Sequence, residues 1–347
     1  MENTETVLVT GGSGFVAMHI IFQLLEKGYK VRTTLRSLRG QEKIIRTLKS
    51  NGIINIEKLS FVKTELTKDD NWETAMKDCK YVLSVASPVF FEIPKDEAEA
   101  LKPAREGILR VLKFARNAGV KRVVMTSNFG AVGFSQTNKD RETTEADWTD
   151  PNLKGLSVYE KSKTVAEIAA WNFIKKEGSN LEFTTINPVA IFGPSLDEHI
   201  SGSLNILKHL LDGTMSPVPP IPLNLVDVRD VADLHIRAME TPNAAGQRFI
   251  ATADGQISMP EIAKFLIEAK PEISSKVSVK TVPALILRLV SLFNEKAEEG
   301  TMFMKVNRNV SNEKARSILG WKPIGTNEDI ILASVDTMIK FNLIKKN

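Results

Sequence analysis

Near its start the chain reads Val7-Leu8-Val9-Thr10-Gly11-Gly12-Ser13-Gly14-Phe15-Val16-Ala17. A short apolar run passes at once into a glycine cluster. Apolar residues then recur at helical spacing through Ile20, Ile21, Leu24 and Leu25. Strand, tight turn and helix in this order leave few folds open, because a buried strand feeding straight into a helix belongs to a parallel α/β sheet. Gly11 permits the turn, and a side chain at Gly12 or Gly14 is expected to block backbone approach to a pyrophosphate. The helix start, at Ser13, Phe15 and Val16, offers N–H groups and a positive dipole end to the phosphates. Ala17 stands where many such turns carry a third glycine and still permits close helix–strand packing. The arrangement points to a dinucleotide site.

The first half of the chain keeps that alternation. Strand patterns fit Val7–Thr10, Lys30–Leu35, Leu59–Val62, Tyr81–Val85 and Arg122–Thr126. Helical patterns fit Gly14–Lys27, Gln41–Asn51, Asn71–Lys77 and Ala98–Ala118, with Gly28, Gly52 and Gly119 at helix ends. A further helix fits Ser157–Glu177 and a further strand Glu182–Ile186, stopped by Asn187-Pro188. The fold class expected is α/β: a doubly wound parallel sheet with helices on both faces. After that the run from Met215 to Pro222 carries four prolines, which excludes a central strand or helix. Residues 1–188 are expected to form the dinucleotide-binding domain, with 225–257 returning to it. Residues 189–224 and 258–347 are expected to build mainly a smaller substrate lobe.

Composition narrows the classes. At 347 residues the chain is long enough for two such units, and a net charge of +4 does not argue for nucleic acid or a membrane surface. The one cysteine, Cys79, has no internal disulfide partner, and the four histidines show no metal-ligand spacing. No metal is therefore expected. With no charged-then-apolar leader and no apolar run near twenty residues, the expectation is a cytoplasmic protein, monomer or homodimer.

The second motif is Tyr159-Glu160-Lys161-Ser162-Lys163. One helical turn apart, Tyr159 and Lys163 share a face. An ammonium beside a phenol stabilises its phenolate, so the Tyr159 pKa is expected to fall towards working pH. Such a tyrosine exchanges a proton with a carbonyl or alcohol oxygen as hydride moves.

Thr10-Gly11-Gly12-Ser13-Gly14-Phe15 with Tyr159-x-x-x-Lys163 resembles the extended short-chain dehydrogenase/reductases. The resemblance extends through Val85-Ala86-Ser87-Pro88, Val123-Val124-Met125-Thr126-Ser127, Asn187-Pro188-Val189-Ala190-Ile191-Phe192-Gly193-Pro194, Val226-Asp227-Val228-Arg229-Asp230 and Leu319-Gly320-Trp321-Lys322-Pro323. It is nearest to the dihydroflavonol-reductase and aldehyde-reductase branch. It implies a Rossmann-type fold, a small-molecule carbonyl substrate and a catalytic serine after the fifth strand. This chain departs there, reading Thr126-Ser127-Asn128. Asn128 occupies the aligned position and can serve as an amide donor to the oxygen; a one-residue shift would bring in Ser127 or Thr126.

The second strand ends at Leu35-Arg36 with no acid for ribose hydroxyls, and Arg36 offers a fork matched to a 2′-phosphate. The resemblance adds Lys43 as a second phosphate contact, so the expected cofactor is NADPH/NADP. It further implies Glu65 and Leu66 at the adenine, Val85, Ala86 and Ser87 beside the nicotinamide ribose, and Thr126 among the cofactor-binding residues. Pro188 and Val189 are implied at the nicotinamide ring, and Ser203 at the diphosphate. Candidate pocket walls are Phe90, Phe91, Phe129, Val132, Ala190, Phe192 and Pro219–Ile221. A sugar-nucleotide epimerase or dehydratase is the first alternative, although Phe129-Gly130 stands where a dehydratase carries an Asp-Glu pair. A non-enzymatic NADPH-sensing regulator is the second.

Overall fold

The computed structural model describes residues 4–87, 97–283, 286, 289–291 and 293–344. Strands β1 (Thr6–Val9), β2 (Lys30–Leu35), β3 (Leu59–Lys63), β4 (Cys79–Ser84), β5 (Arg122–Thr126) and β6 (Glu182–Pro188) alternate with helices α1 (Phe15–Glu26), α2 (Gln41–Ser50), α3 (Trp72–Met76), α4 (Glu97–Asn117) and α5 (Val158–Glu177). Short strands β7 (Ala190–Phe192), β8 (Pro222–Leu223) and β9 (Leu225–Asp227) follow with α6 (Leu204–Leu211) and α7 (Val228–Glu240), before β10 (Arg248–Ala251). β10 joins the first six strands in one parallel sheet of order β10-β6-β5-β4-β1-β2-β3. Val7, Leu8, Val9, Val82, Leu83, Val123 and Val124 are fully buried, as strands covered on both faces must be. The chain winds outward from β1 through β2 and β3, then reverses from β4 through β6. This places a crevice at the carboxyl ends of β1 and β4, the point where such sheets bind ligands.

The sixth strand does not stop at Asn187-Pro188. β6 runs on, pairing Asn187 with Ile250 and Pro188 with Ala251 of β10. A proline is tolerated at the last strand position, where the ladder no longer needs its missing N–H. The next N–H, that of Val189, resumes the ladder by donating to the Ala251 carbonyl at 3.1 Å.

The smaller lobe has its own core. It packs Leu204, Leu207 and Leu210 of α6 against Ile262 and Leu266 of α8 (Met259–Ala269) and Ile330, Ile331 and Val335 of the last helix, Asn327–Lys340. The proline-rich run forms loop, then β8, which pairs antiparallel with β11 (Ile257–Ser258). Residues 225–257 divide: β10 enters the large sheet and α7 packs on α1, whereas β9 pairs with β7 outside that sheet. The segment 258–347 is also shared. After α9 (Glu295–Lys305), helix α10 (Glu313–Leu319) and Trp321 pack into the large core, with the Trp321 indole donating to Asp230 at 3.2 Å. The last helix, α11 (Asn327–Lys340), returns to the smaller lobe.

Candidate active site

The glycine turn lies at the end of β1, held from two sides. Gly11 N–H donates to Thr34 Oγ1 at 3.0 Å and Gly12 N–H to the Thr34 carbonyl at 3.0 Å. Thr10 Oγ1 accepts from Val85 and Ala86 N–H, both at 2.9 Å, pinning the end of β4 beside the turn. Gly11 has φ +73°, and a side chain there would meet Ala86. The reason for Gly12 differs from the one expected. A Cβ at Gly12 would lie 2.2 Å from Thr33 Oγ1, so packing against β2 forbids it, not ligand approach. At Gly14, which precedes α1 with no side-chain cap, a Cβ would meet only the Gly11 carbonyl at 3.3 Å. Ser13 is exposed and Val16 half-buried on this face, while Phe15 turns into the smaller lobe's core. A cradle that glycine alone fits, opening on a helix start, suits a diphosphate.

At the end of β2, Arg36 is exposed and its charge contributes to holding the Glu65 carboxyl below the usual range, behind the larger effects of Lys68 and Thr67. Lys43 is engaged differently: its ammonium lies 2.7 Å from Glu198 and 3.2 Å from Asp197, joining α2 to the loop before α6. As a phosphate ligand Lys43 must leave both acids. Leu66, Ala86, Ser87, Thr126 and Lys163 line one narrow cavity along the sheet's carboxyl edge.

Ser157 caps α5 by accepting from Glu160 N–H, which sets Tyr159 in the first turn and Lys163 on the same face one turn later. Lys163 Nζ lies 5.6 Å from the Tyr159 ring centroid. Lys163 is buried, and burial pulls its pKa down to about 8. Tyr159 as a residue is 45% exposed and lines the cleft, while its hydroxyl is desolvated. Its hydroxyl, however, does not titrate as expected. Desolvation and the adjacent Glu160 push it up to about 12, against a smaller lowering effect from Asn128. The phenol thus keeps its proton at neutral pH, because burial and the neighbouring carboxylate outweigh the Asn128 hydrogen bond.

Asn128 and Ser127 point apart, as neighbours at a strand end do. Asn128 Oδ1 accepts from Gly130 N–H at 2.5 Å, capping a 3-10 turn at Phe129–Ala131. That engagement leaves its amide N–H groups for the cleft, beside Tyr159. Ser127 faces the interior: it is 2% exposed and its hydroxyl donates to Glu167 at 2.5 Å. The alternative of Ser127 as the oxygen-orienting group is therefore corrected. Glu167, fully buried, also pairs with Arg248 at 2.7 Å and accepts from Asn187 at 2.7 Å. Thr126 is likewise engaged, 2.7 Å from His235 Nε2.

Tyr159 opens onto a cleft of about 430 Å³ between the lobes. Phe129, Phe134, Ile206, Ile221, Met259 and Phe303 give it an apolar wall, and Asn128, Pro188, Val189, Ala190 and Ser203 line it too. Ser203 thus lines the same cleft as Tyr159. Val132 and Phe192, expected as walls, are fully buried in the cores, and Phe90 and Phe91 lie outside the described residues. The cleft also holds Glu160, Asn224, Glu299 and Arg308, which sequence reasoning missed. Burial, and then Glu299, push the Glu160 carboxyl up to about 7. The one usable signal was Glu160's place beside Tyr159; nothing in the sequence marks Arg308.

The model of the NAD dependent epimerase/dehydratase family matches residues 7–251. The chain is 34% identical over 289 residues to a putative uncharacterized oxidoreductase of Saccharomyces cerevisiae, covering 78% of this chain and 83% of that one. It is 31% identical over 348 residues to a putative NADPH-dependent methylglyoxal reductase of Candida albicans, covering 95% and 97%. The crystal structure of yeast methylglyoxal/isovaleraldehyde reductase complexed with NADPH superimposes with a TM-score of 0.78 at 27% identity, covering 97% and 99%. The glycine turn, the order of the sheet and these matches agree that the chain belongs to the NAD dependent epimerase/dehydratase family.

Proposed function

We propose that this protein is an NADPH-dependent reductase of aldehydes or ketones. The observation that carries the reading is that Tyr159 and Asn128 line an apolar cleft while Lys163, on the same helix face as Tyr159, lines the narrow cavity along Ala86 and Ser87. Gly11 to Val16 would hold the diphosphate and Lys163 the nicotinamide ribose, with Val85 to Ser87, Pro188 and Val189 around them. Arg36 would hold the 2′-phosphate, and the absence of an acid at the end of β2 supports the phosphorylated cofactor. When bound, NADPH supplies the hydride.

The chain's own residues manage the oxygen. Tyr159, protonated at neutral pH, gives its hydroxyl proton to the carbonyl oxygen. The Lys163 charge favours the phenolate left behind, and an Asn128 N–H donates to the oxygen as it gains charge. The apolar walls exclude water and accept the body of a small carbonyl compound. The relatives named as methylglyoxal reductases support aldehydes as the substrate class. The modest net charge and the single, buried Cys79 support a cytoplasmic protein that works without nucleic acid, as monomer or homodimer. Among the described residues no helix is long and apolar enough to cross a membrane.

A panel of aliphatic aldehydes, dicarbonyls, aryl ketones and dihydroflavonols with NADPH, followed at the nicotinamide absorbance, tests the reading. Turnover of a carbonyl compound with NADPH preferred over NADH is expected. Stoichiometric NADPH binding without turnover of any member would overturn it in favour of a sensor.

A further inference from the structure

The cleft wall carries a guanidinium that the proposed chemistry does not use. Arg308 follows α9 and lines the cleft with Tyr159 and the apolar residues. Its residue is 9% exposed. Its carbonyl is taken by Asn224 Nδ2 at 3.0 Å, which ties this segment to the end of β8. Its side chain has no such tie. The Nε atom is buried without a hydrogen-bond partner, and no ion pair joins Arg308 to Glu160, Glu299 or any other acid among the described residues.

The molecule treats its other buried arginines differently. Arg122 pairs with Glu182 and donates to four carbonyls, and Arg248 pairs with Glu167 and donates to three. A buried cation left alone costs several kcal/mol, so it persists where something else supplies its partner. Burial pulls the Arg308 pKa down to about 10, which still leaves it charged at neutral pH. A guanidinium is a planar fork that fits a carboxylate in two parallel hydrogen bonds. Glu160 and Glu299 line the same cleft, and after burial the charge of Glu299 helps push the Glu160 carboxyl up, which weakens Glu160 as an anionic partner for Arg308.

We propose that Arg308 is a specificity-determining residue that takes a carboxylate on the substrate, so that the preferred substrates are oxo acids with an apolar body. This rests on the reductase reading above. One carboxylate balances one guanidinium; the apolar residues cover the chain between acid and carbonyl; and the carbonyl is left at Tyr159.

The test compares an aliphatic or aryl oxo acid with its methyl ester, and with a phosphorylated carbonyl compound of similar length, all with NADPH. The wild-type protein is expected to favour the acid over the ester by roughly 10- to 100-fold in kcat/KM, mainly through KM, as loss of a charged hydrogen-bond pair implies. Arg308→Met should abolish that preference by raising KM for the acid, and Arg308→Lys should restore part of it. Arg308→Met should also melt no lower than wild type, since it removes an unpaired buried charge. A wild-type enzyme that turns over acid and ester equally overturns the proposal, as does a preference for the phosphate ester over the carboxylate. If no carbonyl compound is turned over at all, it is the reductase reading that fails.

Discussion

At the scale of single residues, two neighbours at the end of β5 divide the work of catalysis and of folding. Asn128 has its oxygen tied to Gly130 and presents N–H groups to the cleft, whereas Ser127 supplies a donor to the buried Glu167. Asn128→Ala is expected to lower turnover beyond what the loss of its cap on Gly130 N–H, about 1 kcal/mol of stability, would explain. Ser127→Ala should leave turnover per folded molecule nearly intact but reduce stability by about 1.5–3 kcal/mol, the worth of one hydrogen bond to a charged group, since Glu167 keeps Asn187 and Arg248. Denaturant titrations and steady-state rates on both variants separate the two roles. Tyr159→Phe removes the proton donor. It should cut turnover by roughly 10²–10⁴-fold, with NADPH affinity unchanged by titration. The motif Tyr159-x-x-x-Lys163 was legible because one helical turn forces the two onto one face. The titration of Tyr159 was not, because its pKa is set first by burial and then by Glu160, against a hydrogen bond from Asn128.

At the scale of elements, the strand–turn–helix unit shows why a correct motif can be read for the wrong cause. Gly12 is needed where β1 passes β2, since Thr33 donates to the Val9 carbonyl at 2.8 Å and fills the space a side chain would enter. Gly12→Ala is therefore expected to destabilise the fold by about 1–3 kcal/mol through overpacking. Adding Thr33→Ala should recover much of that loss, as measured by thermal melts. Gly14→Ala should fold normally and lose affinity for the nucleotide instead. Helix α5 carries a second message. Glu167 lies one turn beyond Lys163, yet its partners Ser127, Asn187 and Arg248 arrive from β5, β6 and β10. Helical spacing reveals which residues share a face, but not which distant strands that face will meet.

For the whole molecule, buried titratable groups on α1, α5 and α7 oppose one another as pH changes. Glu160 and Asp230 have folded pKa values raised to about 7 and about 6, so the folded state binds more protons and stability falls as pH rises through those windows. His19 and His235 are lowered to about 4, so the folded state binds fewer protons between about 4 and 6.5 and stability rises with pH there. The two trends offset, and a nearly flat profile from about pH 4.5 to 6.5 is expected. Glu160→Gln should tilt it upward and raise stability above pH 7 by on the order of 3 kcal/mol, read from urea midpoints across pH. The sequence by itself determined the alternating strands and helices, the glycine turn and the Tyr159–Lys163 face, because those follow from period, backbone freedom and spacing along a few neighbouring residues. Only the tertiary structure decided that β10 closes the sheet, that Lys43 meets Asp197 and Glu198, that Ser127 turns inward, and that Arg308 lines the same cleft as Tyr159 with no ion pair among the described residues. Each of these joins segments far apart in the chain, and burial and charge pairing between such segments depend on how the layers pack.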